Sequence, residues 1–335
     1  MFTLVSFGIT NMCVLKCPHC YRDASKRLPN ELSEDECMNI IDQLHNIGTR
    51  ILVFSGGEPL TRSDIFNLIR YADSKKINTA LATSGLLLNE YIIKKLADSN
   101  LKFIAISLDS TKPEIHDRFR GIQGLWNHVV NSLKILKDYG IKIQINFTLC
   151  KYNVDDVINM VEFCIKNDID NLHIFHVVPV GRAFKYYEDI KLDIREVLNV
   201  CLKAVEYGFY NRINVKPTCI PQFWPYLKLS RPDIYNSITR GRSIGCIAGI
   251  SYMYISPTGD VYPCPYLPYK VGNVREGSLE DIINSEVFRR LRSRDLSGRC
   301  RDCKYRDICG GCRARAFSYF GDLFSQDPEC CIYDM

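Results

Sequence analysis

The stretch NMCVLKCPHCYRD carries three cysteines, Cys13, Cys17 and Cys20. A structural zinc site takes four protein ligands, and a closed 4Fe–4S cluster takes four thiolates. Three thiolates on one short loop hold a cubane by three irons and leave the fourth iron free for another ligand. Pro18 is incompatible with a helix interior, so the segment stays a loop and its sulfurs can face one point. Zinc would need a fourth side chain, and His19 at this spacing points away from a common centre.

A second group is SGGEPL at 55–60. Gly56 and Gly57 let a backbone approach a ligand closely, and Glu58 can pair with an ammonium. A third group is the C-terminal set of eight cysteines. Cys246 and Cys264 are followed by Cys300, Cys303, Cys309 and Cys312 in a C-x2-C-x5-C-x2-C run, then by Cys330 and Cys331. Two C-x2-C pairs alone would fit a zinc ribbon, but eight cysteines are too many for one zinc. Cys37, Cys150, Cys164 and Cys201 sit singly in strand- or helix-like surroundings and read as packing residues.

The elements that position these groups alternate. Strands are expected at 2–9, 50–56, 77–85, 101–109, 141–149, 171–179 and 213–217. Helices are expected at 33–48, 63–76, 89–100, 125–139, 154–168 and 192–208. Ser33 with Glu36 forms a capping-box signature ahead of the first helix. About six βα units imply an α/β fold, a partial (β/α)6 barrel, with chemistry at the strand C-termini. Cys13–Cys20, GGEP, TSG (83–85), SLD (107–109) and PVGR (179–182) all follow strands and converge on one rim. From about 240 the texture becomes Cys-, Pro-, Gly- and Arg-rich. This divides the chain into a barrel at 1–217, a linker at 218–240 and a small Cys-rich domain at 241–335. That domain is expected to hold a hairpin at 251–264 and a helix at 278–293.

Composition sets the outer bounds. The chain has 335 residues, 46% hydrophobic content and a formal net charge of +5. That charge does not argue for a nucleic-acid partner. No run of eighteen apolar residues exists, so no membrane span is expected. A long chain with sixteen cysteines and no signal peptide is not a secreted disulfide scaffold, which points to a reducing cytoplasmic setting.

These residues resemble those of the radical S-adenosylmethionine (SAM) superfamily, over nearly the whole chain. Its pattern is C-x3-C-x-aromatic-C after the first strand, with His19 in the aromatic position here. The resemblance implies that SAM chelates the free iron and is reductively cleaved to a 5′-deoxyadenosyl radical, which abstracts hydrogen from a substrate. Gly56, Gly57 and Glu58 would bind the SAM amino group, and Ser84, Ser107 and Asp109 its carboxylate and ribose. Arg120 would clamp the carboxylate, in competition with Arg118.

The C-terminal cysteines resemble the SPASM extension, which binds auxiliary iron–sulfur clusters. By that resemblance Cys300, Cys303, Cys309 and Cys330 (or Cys331) hold one 4Fe–4S cluster, and Cys246, Cys264 and Cys312 another. The family spacing before Cys312 is usually x3, not x2, and one cysteine between 246 and 264 is missing. The second cluster therefore has an open iron, a non-cysteine ligand or Cys219 as its fourth ligand, or is absent. Nine arginines crowd 289–315. They present an anionic-substrate surface or offset the negative charge of a thiolate cluster.

The C-terminus further resembles haem-synthase and haem d1 proteins. That likeness implies an oxygen-sensitive enzyme of oxidoreductase or lyase type, acting on a tetrapyrrole propionate by decarboxylation or side-chain removal. Arg182 is then the best-placed propionate partner. The alternatives are a peptide or protein maturase, a tungsten-cofactor maturase and an iron–sulfur electron carrier. A ferredoxin or flavodoxin donor and an anaerobic host are implied.

Overall fold

The computed structural model describes residues 2–240 and 245–333. The expected start of the Cys-rich domain, 241–244, lies outside the described residues, as do 334–335.

Strands β1 (Leu4–Thr10), β2 (Ile51–Gly56), β3 (Asn78–Thr83), β4 (Phe103–Ser107), β5 (Lys142–Leu149), β6 (Asn171–His176) and β7 (Asn214–Thr218) run parallel in sequence order. Helices α1 (Glu34–Asn46), α2 (Ile65–Ser74), α3 (Glu90–Asp98), α4 (Pro113–Arg120), α5 (Leu125–Asp138), α6 (Val157–Lys166), α7 (Ala183–Ile190) and α8 (Ile194–Tyr210) connect them. The α/β partial barrel is as expected. α1 carries the capping box: the Glu36 backbone N–H donates to Ser33 Oγ at 3.2 Å, and the Ser33 N–H donates to Glu36 Oε2 at 2.8 Å.

Beyond β1 the sheet continues through β8 (Tyr252–Ile255), β9 (Asp260–Tyr262) and β10 (Gly272–Asn273). β8 pairs with β1 in parallel, then turns into the antiparallel β9 at the expected hairpin. The Cys-rich segment thus supplies a strand of the barrel's own sheet.

The stretch expected as a linker is built instead of α9 (Phe223–Ser230) and α10 (Pro232–Thr239). Phe223, Trp224, Leu227 and Ile234 are buried, so apolar burial overrides the prolines, of which Pro225 and Pro232 sit in first turns where no N–H is needed. The helix expected at 278–293 breaks at Asn284–Ser285 into α11 (Leu279–Ile283) and α12 (Glu286–Ser293). Last comes α13 (Arg313–Phe320).

The two sheet faces differ sharply. Alternate residues point to opposite faces, and one face carries Val5, Phe7, Leu52, Phe54, Ile104, Ile145, Phe147, Leu172 and Ile174, all buried. Each such side chain contributes about 1.5–3 kcal/mol by leaving water. The opposite face lines the barrel lumen and is mixed: Val53, Ala80, Ala82, Ala105 and Phe175 share it with Ser6, Ser55, Ser107, Gln144, Asn146, Thr148, His173, Lys216 and Thr218, the polar residues being densest on β5–β7. Tyr252 and Tyr254 extend it on β8. A packed parallel barrel would carry apolar residues on both faces. This one keeps a lumen fit for polar ligands. Cys37, Cys150, Cys164 and Cys201 are fully buried in packing positions.

Candidate active site and auxiliary cluster sites

The Cys13–Cys20 loop leaves β1 and is braced from three sides. Thr10 Oγ1 and the Asn11 N–H donate to Glu31, at 3.0 and 2.6 Å, as does the Leu28 N–H at 3.1 Å. The Cys13 N–H donates to the Ser25 carbonyl at 2.9 Å. Arg182 completes the clamp: its guanidinium donates to the carbonyls of Cys17 (3.2 Å) and Ala24 (2.8 Å) and to Asp23 (2.8 Å). The arginine expected to meet a substrate carboxylate is thus engaged in holding the cysteine loop. Gly181 beside it lies so close that a Cβ would stand 2.3 Å from the Tyr21 carbonyl.

The three thiols share one desolvated patch. Burial, with Glu58, Cys17 and Cys20 nearby, pushes the Cys13 thiol up to about 11. Burial also raises Cys17, opposed by the Arg120 guanidinium, whose Nη1 lies 3.8 Å from its sulfur. Among the described residues no three His, Cys, Asp or Glu side chains gather closely enough to hold one metal ion. Three thiolates bound to three different irons of a cubane need no such tight convergence.

Helix α4, absent from the expected elements, places two residues against this loop. Phe119 stacks on His19 with ring centroids 4.2 Å apart and planes 16° apart. Burial, reinforced by Arg120, pushes His19 down to about 3, so the ring is neutral. Its Nδ1 finds no partner among the described residues. Arg120 donates from Nε to Asp109 Oδ2 at 2.6 Å, and the Thr148 N–H donates to Asp109 Oδ1 at 2.9 Å. Burial alone would raise the Asp109 carboxyl, but the Arg120 guanidinium holds it at about 2. Asp109 and Arg120, expected to touch SAM, are therefore paired with each other, and the arginine faces Cys17. The α4 signal was legible: Pro113 at the first turn and Gly121 in the left-handed C-cap position.

Glu58 stands beside this patch, 1% exposed. It accepts from Thr83 Oγ1 (2.7 Å), the Ser84 N–H (2.9 Å) and Ser84 Oγ (2.6 Å), with no cation paired to it among the described residues. A buried carboxylate with acceptor capacity to spare and no counter-charge suits an ammonium ligand. The Gly57 and Glu58 N–H groups donate to the Thr10 and Met12 carbonyls, both at 2.7 Å. Any Cβ at Gly57 would lie 2.2 Å from the Met12 carbonyl, so this contact admits only glycine. Ser107 ends β4 on the lumen face, in register with Asn146.

The C-terminal cysteines separate into two sets. Cys300, Cys303, Cys309 and Cys330 line one cavity with Gly310 and Gly311. Its sulfurs already have donors: the Tyr305 N–H reaches Cys303 Sγ and the Gly311 N–H reaches Cys309 Sγ, both at 3.4 Å. Arg313 Nη2 lies 3.9 Å from Cys300 Sγ. N–H groups aimed at sulfur are the environment an anionic thiolate cluster requires. Cys331 is buried and does not line this cavity.

The second set is Cys219, Cys246, Cys264 and Cys312. Burial raises the Cys219 thiol, and its charged neighbours are Cys264, Cys312, Arg315 and Cys246. Cys219 has φ +62°, a strained value for a non-glycine residue, fixed by Arg315 Nη1 donating to its carbonyl at 2.7 Å. Arg315 is fully enclosed and also binds Asp327 (2.8 Å) and Gln222 (3.0 Å), while Asp327 accepts the Cys312 N–H at 2.6 Å. Arg313 and Arg315 thus sit among the cysteines, whereas Arg289, Arg299 and Arg301 are exposed.

Sequence reasoning missed the lumen between these sites. Tyr21 packs on Tyr266 with centroids 4.5 Å apart, and Arg22 lies 5.0 Å over the Tyr254 ring with no carboxylate paired to it among the described residues. Tyr252 shares a 2.7 Å hydrogen bond with Ser6. The available signal was polar–apolar alternation in KIQINFTL and NLHIFH, which a fully buried parallel strand would not show.

Known proteins resemble this chain over nearly its whole length. Residues 7–164 match the radical SAM superfamily, and residues 246–304 match the SPASM iron–sulfur cluster-binding domain. An AdoMet-dependent heme synthase from Methanosarcina barkeri is 33% identical over 98% of this chain and 95% of its own. The mycofactocin maturase MftC of Mycolicibacterium smegmatis is 29% identical over 97% of this chain and 82% of its own. SuiB from Streptococcus suis, solved with S-adenosylmethionine, superposes with a TM-score of 0.78 at 22% identity, covering 98% of this chain and 77% of that one. With its precursor peptide SuiA the TM-score is 0.80. This chain belongs to the radical SAM superfamily, in its SPASM-bearing branch, and is an enzyme that works with iron–sulfur clusters and SAM.

Proposed function

We propose that the enzyme acts on a tetrapyrrole, removing or decarboxylating a propionate side chain. The observation that carries this reading is the 33% identity to an AdoMet-dependent heme synthase across almost the full length of both chains. The lumen is in keeping with it: Tyr21, Tyr252 and Tyr266, each partly exposed, offer flat apolar area, and Arg22 has no carboxylate paired to it among the described residues.

With its cluster and SAM bound at Cys13, Cys17 and Cys20, the site supplies a 5′-deoxyadenosyl radical for hydrogen abstraction. Glu58 binds the methionyl ammonium, and Thr83 and Ser84 hold its carboxylate in place. Ser107 offers a further polar contact on the lumen face. Arg120, fixed by Asp109, offsets charge at Cys17. His19 contributes by stacking and Arg182 by clamping the loop. Cys300, Cys303, Cys309 and Cys330 hold one auxiliary 4Fe–4S cluster, and Cys246, Cys264 and Cys312 with Cys219 hold another. Residues 1–217 form the SAM-cleaving unit and the C-terminal segment the electron relay, fed by a ferredoxin or flavodoxin. The sixteen cysteines in a long chain support a reducing, cytoplasmic setting, and no helix of the described residues is long and apolar enough to cross a membrane.

The test is anaerobic reconstitution with iron-coproporphyrin III and SAM, followed by mass spectrometry. Loss of carboxylate mass from the porphyrin supports the reading. Unchanged porphyrin beside active SAM cleavage refutes it. A second reading, peptide maturation, draws on the 29% identity to MftC. A precursor peptide that is modified in the same assay would favour it.

A further inference from the structure

Besides Arg22, a second cation in the lumen has no counter-charge among the described residues. Lys216 lies on β7 among the lumen-facing positions and is half-buried. Its register partner on β6 is His173, on the same face, and Asn146 follows on β5. No Asp or Glu side chain among the described residues pairs with Lys216, and it donates to no acceptor. The neighbouring polar groups are occupied or neutral: Gln144 Nε2 donates to Asn146 Oδ1 at 2.7 Å, and Thr218 Oγ1 donates to the Lys216 carbonyl at 3.3 Å.

Two further facts separate this lysine from the cluster sites. The charge beside Cys219 is that of Arg315, not Lys216. Burial alone depresses the Lys216 ammonium, with no opposing group acting on it. His173 is driven down to about 3 by burial and then by Lys216 itself, so it is neutral near pH 7 and keeps one ring N–H to donate. Neither of its nitrogens is sealed in the protein, since none stands among the buried unpartnered atoms.

An ammonium held in a recess without an anion is costly unless a ligand brings one. We propose that Lys216 and His173 form a carboxylate-binding site on the lumen wall, which takes a carboxylate of the substrate and so sets its depth and orientation below the SAM site. Lys216 supplies the charge and His173 a neutral donor, so one carboxylate receives two donors from adjacent strands. The inference deepens the tetrapyrrole reading, whose substrate carries several carboxylates. It places one anchor on β7.

The test uses reconstituted holoenzyme under anaerobic conditions. Soret titrations compare iron-coproporphyrin III with its tetramethyl ester in the wild type, Lys216→Met and Lys216→Arg. The wild type is expected to bind the acid. Lys216→Met is expected to weaken that binding by about tenfold or more, as loss of a charge-assisted hydrogen bond requires. The Lys216→Arg variant should recover most of it, and binding of the ester should be the same in all three. Equal binding of the acid by wild type and Lys216→Met overturns the inference and leaves the tetrapyrrole reading standing.

A second arm applies if the wild type binds neither porphyrin, in which case the tetrapyrrole reading falls. Lys216 is then labelled with an amine-reactive ester and quantified by mass spectrometry, with benzoate or benzamide present. Protection by benzoate and not by benzamide supports a carboxylate site. Equal labelling with both overturns it.

Discussion

Replacing Arg315 by methionine tests how the C-terminal segment is held to the barrel. The side chain is fully enclosed and joins four groups: Asp327, Glu329, Gln222 and the Cys219 carbonyl. Arg315→Met keeps volume and removes the charge, which leaves Asp327 buried with only Gln222 and backbone donors. Breaking one side of a buried pair costs about 3–5 kcal/mol, mostly from the orphaned partner. At about 2.1 cal/mol/K of unfolding entropy per residue, a chain of this length loses roughly 4–7 °C of apparent Tm. The assay is anaerobic thermal unfolding of reconstituted protein, with iron counted per chain. Iron should fall as well, because the same arginine fixes the Cys219 backbone, and Asp327 binds the Cys312 N–H. The double variant Arg315→Met/Asp327→Asn removes both charges and should regain more than half of the lost Tm. A single variant within about 1 °C of wild type refutes the reasoning, as does a double variant less stable than the single.

Other outcomes follow from the same geometry. Cys219→Ser should lower bound iron and change the low-temperature EPR signal of one auxiliary cluster, while Cys331→Ser should leave both as in the wild type. His19→Phe keeps the stack on Phe119 and removes a buried unpartnered nitrogen, so cluster content should be unchanged and Tm equal or slightly higher. Arg182→Gln should lower iron retention at the N-terminal site, because three bonds bracing the cysteine loop are lost. Acid should destabilise the cluster-free protein. Glu329 falls from 4.5 to about 2, because Arg315, His176 and Tyr187 outweigh burial, and Asp109 falls from 3.8 to about 2. Depressed carboxyls contribute stability that is present above their unfolded values and lost as pH falls from about 4.5 toward 2. The urea midpoint should therefore drop across that window, and less steeply in Glu329→Gln.

Strand–helix alternation made the barrel legible, because a period of two and a period of 3.6 are local properties of sequence. The Cys13–Cys20 spacing and GGE marked the rim for the same reason. What stayed hidden depended on contacts far apart in the chain. Arg182 ends a strand, as a substrate-binding residue would, yet its partners are Asp23, Cys17 and Ala24, more than 150 residues earlier. Asp109 and Arg120 were each expected at SAM, and their mutual ion pair was hidden because it depends on α4. The prolines near 221–232 disguised two helices, since burial of Phe223 and Trp224 outweighs local propensity. Cys219 could be named as one option from sequence, and only its strained backbone and its three cysteine neighbours single it out.

The central claim is that three thiolates leave one iron corner to SAM. The direct measurement is 5′-deoxyadenosine formed by dithionite-reduced, reconstituted protein, compared with a Cys13→Ala/Cys17→Ala/Cys20→Ala variant that retains its C-terminal cysteines. The account predicts product from the wild type, none from the variant, and a loss of about four irons per chain. Deoxyadenosine formed at the wild-type rate by the variant would contradict it.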